Sequence, residues 1–129
     1  MACAAGVGPI TGAQLLLAYS HHGRFRSEAA FAMHAGVAPI PTGSGKTDGT
    51  RVRLNPGNDR ALNSAIHYIA HSRMTHWPPT KTYLATRQAR GCDKNATGRM
   101  IKRYVARDLY RILTTLDLPD TPQTLTTAA

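Results

Sequence analysis

The sequence predicts a small, mainly α-helical domain with a long glycine- and proline-rich loop in its middle. Three observations support this fold class: apolar residues recur at helical spacing, capping residues precede them, and Gly and Pro cluster between residues 37 and 57. A chain of 129 residues has room for one domain with one modest core. We assign residues 1–116 to this domain and expect the Thr-, Pro- and Ala-rich tail, 117–129, to be disordered.

Two short helices are predicted first. Gly6-Val7-Gly8 makes a tight turn, and Pro9 suits the first turn of a helix that runs to about Tyr19, so the chain has a helix-hairpin-helix-like start. A second helix begins after the N-cap Ser27 and ends before Gly36.

The middle of the chain, from Val37 to Gly57, is predicted to be a loop. The alternating segment 51–54 allows a short strand or one arm of a β-hairpin, whereas the prolines make 38–41 a poor strand. A loop of about twenty residues inside a compact domain is unusual and is often functional.

Three further helices are expected. The third begins at Asn58 and ends at Trp77-Pro78-Pro79, where the fourth begins, and the fourth ends at Gly91. We expect Trp77 to be a core plug or loop anchor rather than a base-stacking platform. Asp93 caps the fifth helix, whose predicted apolar face consists of Ile101, Tyr104, Val105, Leu109, Ile112, Leu113 and Leu116.

Charge is the first indication of function. Sixteen Lys and Arg against seven Asp and Glu give a formal net charge of +9 and a pI near 10.3. Such an excess favours a nucleic-acid partner, because each neutralised phosphate releases counterions, although a solvated basic surface has the same composition. The sequence has no membrane-spanning run and no secretion signal, so we expect a cytoplasmic protein without a membrane partner.

Backbone-binding elements are predicted at two places. Gly6 and Gly8 would let a phosphate approach the amides at a helix start, although an ordinary turn has the same pattern. Arg99, Arg103, Arg107 and Arg111 recur every four residues on the fifth helix, with Lys102 beside them. They could follow a nucleic-acid backbone, or form a solvated face on which Asp108 pairs with Arg111.

The central loop contains two candidate sites. Residues 41–47 resemble a phosphate-binding loop with Lys46 and Thr47, but no buried strand precedes them and no helix follows directly. Alternatively, Ser44 lies between two glycines near Lys46, Arg51 and Arg53, cations that could stabilise a serine attacking a phosphodiester. A flexible Gly-Ser-Gly linker is the third interpretation.

No metal site or disulfide is predicted. His67 and His71 lie one helical turn apart and His76 follows, but no acidic third ligand accompanies them, so a polar helix surface is the better interpretation. Cys3 and Cys92 form no ligand pair.

Taken together, the order of these segments resembles the C-terminal region of the "IS one-ten" family of bacterial insertion-sequence transposases. The matching segments are Gly6-Val7-Gly8-Pro9-Ile10-Thr11, Arg24-Phe25-Arg26-Ser27, Phe31-Ala32, Ala35-Gly36-Val37-Ala38-Pro39, Ser44-Gly45, Gly57-Asn58, Leu62, Lys102-Arg103 and Tyr110-Arg111. They span roughly residues 6 to 116.

The resemblance implies DNA cleavage and rejoining, with Ser44 as the nucleophile that forms a phosphoserine link. It also implies a structured guide RNA, a homo-oligomer, and magnesium held by the carboxylates of an N-terminal nuclease-like domain. In this sequence Lys46 replaces the second of two glycines that commonly follow the family's serine. Its few carboxylates form no such acidic set, so we expect the acidic domain to be encoded elsewhere or lost. We therefore expect a fragment that binds nucleic acid but is inactive alone. The alternatives are a non-catalytic DNA- or RNA-binding module and a nucleotide-binding remnant that uses Lys46 and Thr47.

Overall fold

The structure is a computed structural model that describes residues 5–41, 52–54, 59–116, 118 and 120. Within these ranges the chain forms five helices and two short strands, which confirms the predicted mainly α class. The elements are α1 (Pro9–Tyr19), α2 (Glu28–Ala35), β1 (Pro39–Pro41), β2 (Val52–Leu54), α3 (Arg60–His76), α4 (Pro78–Ala89) and α5 (Lys94–Thr115). Most of the predicted tail lies outside the described residues.

The first two helices begin and end where their capping residues predict. In α2 the Ser27 hydroxyl accepts a hydrogen bond from the amide of Ala30, and Gly36 ends the helix in the left-handed region at φ 72°. A residue with a Cβ adopts this conformation only at a cost, so glycine is the favoured stop signal here. The start of α1 is held by Thr11, whose hydroxyl accepts from the amide of Gly8 and donates to its carbonyl.

The start of α3 differs slightly from the prediction. The Asp59 carboxylate, not Asn58, is the N-cap and accepts from the amide of Leu62 at 3.1 Å, so the helix begins at Arg60. Asp93 caps α5 as predicted, accepting from Ala96. Two prolines at the start of α4 stop α3, because a proline amide cannot continue the hydrogen-bond ladder.

The central loop contains a two-stranded antiparallel ribbon in which Ile40 lies opposite Arg53. The prolines predicted a poor strand over 38–41, and the strand there, Pro39–Pro41, is only three residues long. Its prolines lie at the ends and Ile40 at the centre, so only one amide of the strand can donate, which fits the short edge ribbons where proline is tolerated.

The core lies around α3, which packs against all four other helices. Leu62, Ile66 and Ile69 are fully buried there. On α5 the structure buries four of the predicted face residues, Ile101, Val105, Leu109 and Leu113. Tyr104 and Leu116 are instead 42% and 37% exposed, because the predicted face was wider than the surface that α2, α3 and α4 cover.

Candidate nucleic-acid interface

The five predicted cations of α5 lie together on one helix that packs on the core through its other side. We call this set the α5 cation row: Arg99, Lys102, Arg103, Arg107 and Arg111. Arg99 and Arg111 are exposed and the other three are half-buried. The spacing of four residues turns the row gradually around the helix, since four residues exceed one turn by a small angle.

Glu28 offsets part of the charge in the C-terminal half of the row. Arg107 Nε lies 3.1 Å from one carboxylate oxygen of Glu28, and Arg111 Nε lies 3.8 Å from the other. Both pairs are substantially exposed to solvent, so each contributes little to stability. A single carboxylate shared by two guanidinium groups still leaves one positive charge in excess at this end.

The N-terminal half of the row has no such counter-charge. Among the described residues, no carboxylate lies within ion-pair distance of Arg99, Lys102 or Arg103. Burial, and then the nearby charge of Arg99, lower the pKa of Lys102. Positive charge is therefore concentrated here without compensation. A bound anion would reduce the repulsion between these cations.

His67 on α3 extends this region. Its pKa is lowered by burial first, then by the neighbouring Lys102 and His71. The imidazole thus lies close enough to the α5 cation row to sense its charge, although α3 and α5 are distant in sequence. Both His67 and His71 are exposed, in agreement with the predicted polar helix surface.

Three arginines have a buried nitrogen without a hydrogen bond to a described residue, and for two of them no described ion pair is present at that nitrogen either; the third, Arg107 Nε, lies beside the Glu28 carboxylate. Arg103 Nη1 and Arg87 Nε are buried from solvent and have no hydrogen-bond partner within the part of the chain that the structure describes. Arg87 also donates through Nη2 to the sulfur of Met100 at 3.3 Å, which places it between α4 and α5. Buried donors are normally paired, so Arg103 Nη1 and Arg87 Nε are each able to donate a hydrogen bond to a bound ligand.

The solvated-face interpretation predicted that Asp108 pairs with Arg111, but the two residues do not form this pair. Its carboxylate accepts from Arg73 Nη1 on α3 at 3.2 Å. Arg73 is 6% exposed and also donates from Nε to the carbonyl of Ala5 at 2.8 Å. Arg111 instead lies beside Glu28, so the tertiary fold decides both pairings and the local spacing does not.

The two glycines of the first turn occupy different environments. Gly6 has a φ of 83°, and a Cβ there would lie 3.1 Å from the carbonyl oxygen of Ile69, so the turn is pressed against α3. Gly8 is the N-cap of α1, and its amide already donates to Thr11. A Cβ on Gly8 would meet only the Thr11 hydroxyl, at 3.9 Å.

The structure does not describe the side chains of the central-loop candidates. Ser44, Lys46, Thr47 and Arg51 lie outside the described residues, and for Arg53 the structure gives only the backbone position in β2. The loop leaves α2 through β1, and the chain returns at Asp59, whose amide donates to the carbonyl of His34 at 2.9 Å. The two ends of the loop are thereby held together at the start of α3.

The described carboxylates do not fit the magnesium site that the family resemblance implies. Asp59 and Asp93 cap helices, Asp108 binds Arg73, and Glu28 binds two arginines. Among the residues that the structure describes, no group of three His, Cys, Asp or Glu side chains could hold a metal ion.

Three residues of this interface were not predicted to belong to it: Glu28, Arg87 and His67, the last of which the sequence indicated only as part of a polar helix surface. Each meets the α5 cation row or its neighbours through tertiary packing, so spacing along the chain could not reveal them. An acidic residue in the first turn of a helix ordinarily interacts with the helix dipole, and Glu28 lies in the first turn of α2.

The comparisons with known proteins agree with the resemblance seen in the sequence. A family model described as Transposase IS116/IS110/IS902 family matches residues 4–85, which is more than half of the chain. No curated protein matched the chain. None of the helices in the described ranges is long and apolar enough to cross a membrane. The chain belongs to the Transposase IS116/IS110/IS902 family.

Proposed function

We propose that this chain is the part of an insertion-sequence transposase that holds DNA along α5 and supplies Ser44 as the nucleophile. Membership in the family makes DNA transposition the general process and DNA the partner. The observation that carries the binding proposal is the uncompensated charge of Arg99, Lys102 and Arg103.

The dimensions of α5 support contact with a nucleic-acid backbone. From Arg99 to Arg111 the helix rises about 18 Å. Phosphates along one strand of a duplex repeat about every 3.4 Å along the axis, so the α5 cation row matches a run of several phosphates. Guanidinium groups bind phosphate oxygens with two parallel donors, which suits an arginine-rich row better than a lysine-rich one.

For the chemical step, we assign the attack to the Ser44 hydroxyl. Its proton leaves to a general base, Oγ bonds to the phosphorus, and the sugar oxygen of the cut strand departs and takes up a proton. Lys46, Arg51 and Arg53 would stabilise the negative charge of the pentacoordinate transition state. The magnesium-binding carboxylates belong to the nuclease-like domain that the family resemblance implies, and we expect this chain to need that domain for activity.

Testing the nucleophile requires the N-terminal domain in the same reaction. With it present, Ser44→Ala should abolish strand transfer and the covalent protein–DNA adduct but leave DNA affinity unchanged. Ser44→Cys, which keeps a nucleophilic atom at the same position, is the matched control and should retain some adduct. If the alanine variant still transfers strands, Ser44 is not the nucleophile.

A non-catalytic binding module is the second candidate function, and the same α5 cation row favours it. It predicts DNA or RNA binding without any covalent adduct, whichever N-terminal partner is supplied. The nucleotide-binding remnant is less well supported, since β1 lies in a two-stranded antiparallel ribbon and not in the parallel sheet that precedes a phosphate loop. ATP binding that is lost in Lys46→Ala would support it.

The binding proposal has a direct test. The double variant Arg99→Gln/Arg103→Gln should weaken binding of a labelled duplex by at least tenfold at low salt, measured by fluorescence anisotropy. Lys81→Gln/Arg90→Gln, which also removes two positive charges, both exposed, is the control for general loss of charge. Equal losses in the two variants would mean that the binding is diffuse and that α5 is not the contact surface. We further propose a homo-oligomer, a guide RNA as second ligand and a cytoplasmic location.

A further inference from the structure

A groove lined by aromatic rings lies beside the α5 cation row. Trp77 at the junction of α3 and α4, Tyr83 of α4 and Tyr104 of α5 form its walls, and Arg73 and Asp108 lie at its polar side. Its volume is about 210 Å³. That is below the roughly 300–1,000 Å³ of sites for drug-sized ligands, so the groove suits a single flat ring system.

The rings of the groove offer a surface for stacking. Tyr83 and Tyr104 meet edge to face, with centroids 5.8 Å apart and planes at 87°. Tyr104 is 42% exposed. Trp77, which the sequence predicted to be a core plug or loop anchor, is only half-buried, so both rings keep accessible surface. Burial, and then the nearby Tyr104 hydroxyl, raise the pKa of Tyr83, which keeps its phenol neutral. Neutral aromatic faces bind any nucleobase by stacking, with little dependence on sequence.

Positive charge surrounds these rings. The guanidinium carbon of Arg107 lies 5.8 Å from the Tyr104 ring centroid. Arg87 lies near Tyr83, and the positive charge of Arg87 partly offsets the rise in the pKa of Tyr83. The helical hairpin from residue 78 to 116 contains nine Lys and Arg against two Asp in the sequence. A ligand that enters this groove therefore passes through a field that favours a polyanion, which excludes a basic or neutral peptide as the best occupant.

The polar side of the groove complements the edge of a base. The carboxylate side chain of Asp108 is 49% exposed although it accepts from Arg73, so an oxygen remains able to accept a further hydrogen bond. Exocyclic amines and ring N–H groups of bases are donors of this kind. A phosphate would be repelled by this carboxylate, so the base enters the groove and the phosphates stay on α5.

We propose that this groove binds an unpaired nucleobase of a strand whose phosphates lie along α5, a proposal that rests on the nucleic-acid binding proposed above. Single strands of DNA and of RNA both offer this combination of an unpaired base and a row of phosphates. A duplex keeps its bases stacked inside the helix and cannot fill the groove without unpairing one of them.

The only tryptophan of the chain, Trp77, makes the groove directly observable. Its fluorescence should be measured while the full chain is titrated with single strands of roughly eight nucleotides, a length within the site sizes of single-strand binding proteins. The four ligands are a DNA strand, the same strand as RNA, an abasic DNA of equal length, and a blunt duplex. Anisotropy of the labelled ligands gives their affinities in parallel.

The proposal predicts that the base-containing strands quench Trp77 and that the abasic strand and the duplex do not. The strand type with the lower Kd identifies the source of the base. Equal quenching by the abasic strand, or binding of the normal strands without quenching, would overturn the groove proposal and leave backbone binding intact. No binding of any ligand would instead contradict the proposed function itself.

A substitution isolates the groove from the α5 cation row. Tyr104→Leu should reduce the preference for normal over abasic strands by about tenfold, because one stacking surface is lost. Its affinity for the duplex should not change. Tyr68→Leu removes an exposed tyrosine of α3 and is the matched control. If the fluorescence of Trp77 changes with protein concentration alone, a second copy of the chain fills the groove and the proposal is wrong.

Discussion

Arg73 donates hydrogen bonds to the Asp108 carboxylate at 3.2 Å and to the carbonyl of Ala5 at 2.8 Å, and thereby joins three parts of the chain. It connects the turn before α1, the last part of α3 and the middle of α5. Because Arg73 is almost completely buried and Asp108 is not, the two partners contribute unequally.

Removal of Arg73 should therefore cost more than removal of Asp108. We expect Arg73→Ala to lower the free energy of unfolding by about 3 kcal/mol, because a buried cation with several acceptors is lost and its space is left empty. Asp108→Asn should cost about 1 kcal/mol or less, since its side chain is half in solvent. Urea denaturation followed by circular dichroism measures both, and equal losses would contradict this account.

The two glycines of the first turn should tolerate alanine differently. Gly6→Ala should destabilise the fold by about 2 kcal/mol, because the residue has a positive φ and its new Cβ would lie too close to the Ile69 carbonyl. Gly8→Ala should cost less than about 1 kcal/mol, since it has an ordinary extended φ and open space around it. Thermal melts of both variants in parallel test this order, and a more harmful change at Gly8 would show that the turn is described wrongly.

Glu28 should weaken the binding of DNA to α5. Glu28→Gln removes the shared counter-charge of Arg107 and Arg111, so DNA should bind several-fold more tightly at low salt. Stability should change by less than about 1 kcal/mol, because both ion pairs are exposed. Glu28→Asp, which keeps the charge, should behave like the original chain. An unchanged affinity in Glu28→Gln would remove Arg107 and Arg111 from the interface.

The lowered pKa of His67 predicts a dependence of stability on pH. The folded chain binds this proton more weakly than the unfolded chain, whose imidazole has a pKa of about 6.5. Stability is therefore lost as pH falls below that value, and the loss is complete below the folded pKa. Between pH of about 7.5 and 5.5, the Tm of the original chain should fall further than that of His67→Gln. Parallel curves would mean that neither burial nor the neighbouring charges lower the pKa of His67 in the folded chain.

Helix ends were predictable because each depends on one residue acting locally. Ser27 and Asp93 accept from amides three residues ahead, and Gly36 takes the left-handed conformation that other residues avoid. The start of α3 was displaced because two polar residues, Asn58 and Asp59, precede it and either could cap it.

Contacts between helices were not predictable in the same way. The i+3 spacing allowed an Asp108–Arg111 pair, but in the fold each residue has a partner on another helix, Arg73 and Glu28 respectively. The same reason explains Tyr104, which helical periodicity assigned to the core. Its side chain lines the groove beside α4 and is 42% exposed. Ser44 and its neighbouring cations stay predictions from the sequence and the family.

The most direct test of nucleic-acid binding through α5 is the salt dependence of DNA affinity. Each phosphate contact contributes about 0.9 to the slope of log K against log salt concentration for duplex DNA. We predict that Arg99→Gln/Arg103→Gln reduces this slope by about two relative to the original chain, while Lys81→Gln/Arg90→Gln leaves it nearly unchanged. A slope that is the same in the original chain and the double variant would contradict the proposal that DNA phosphates lie along α5.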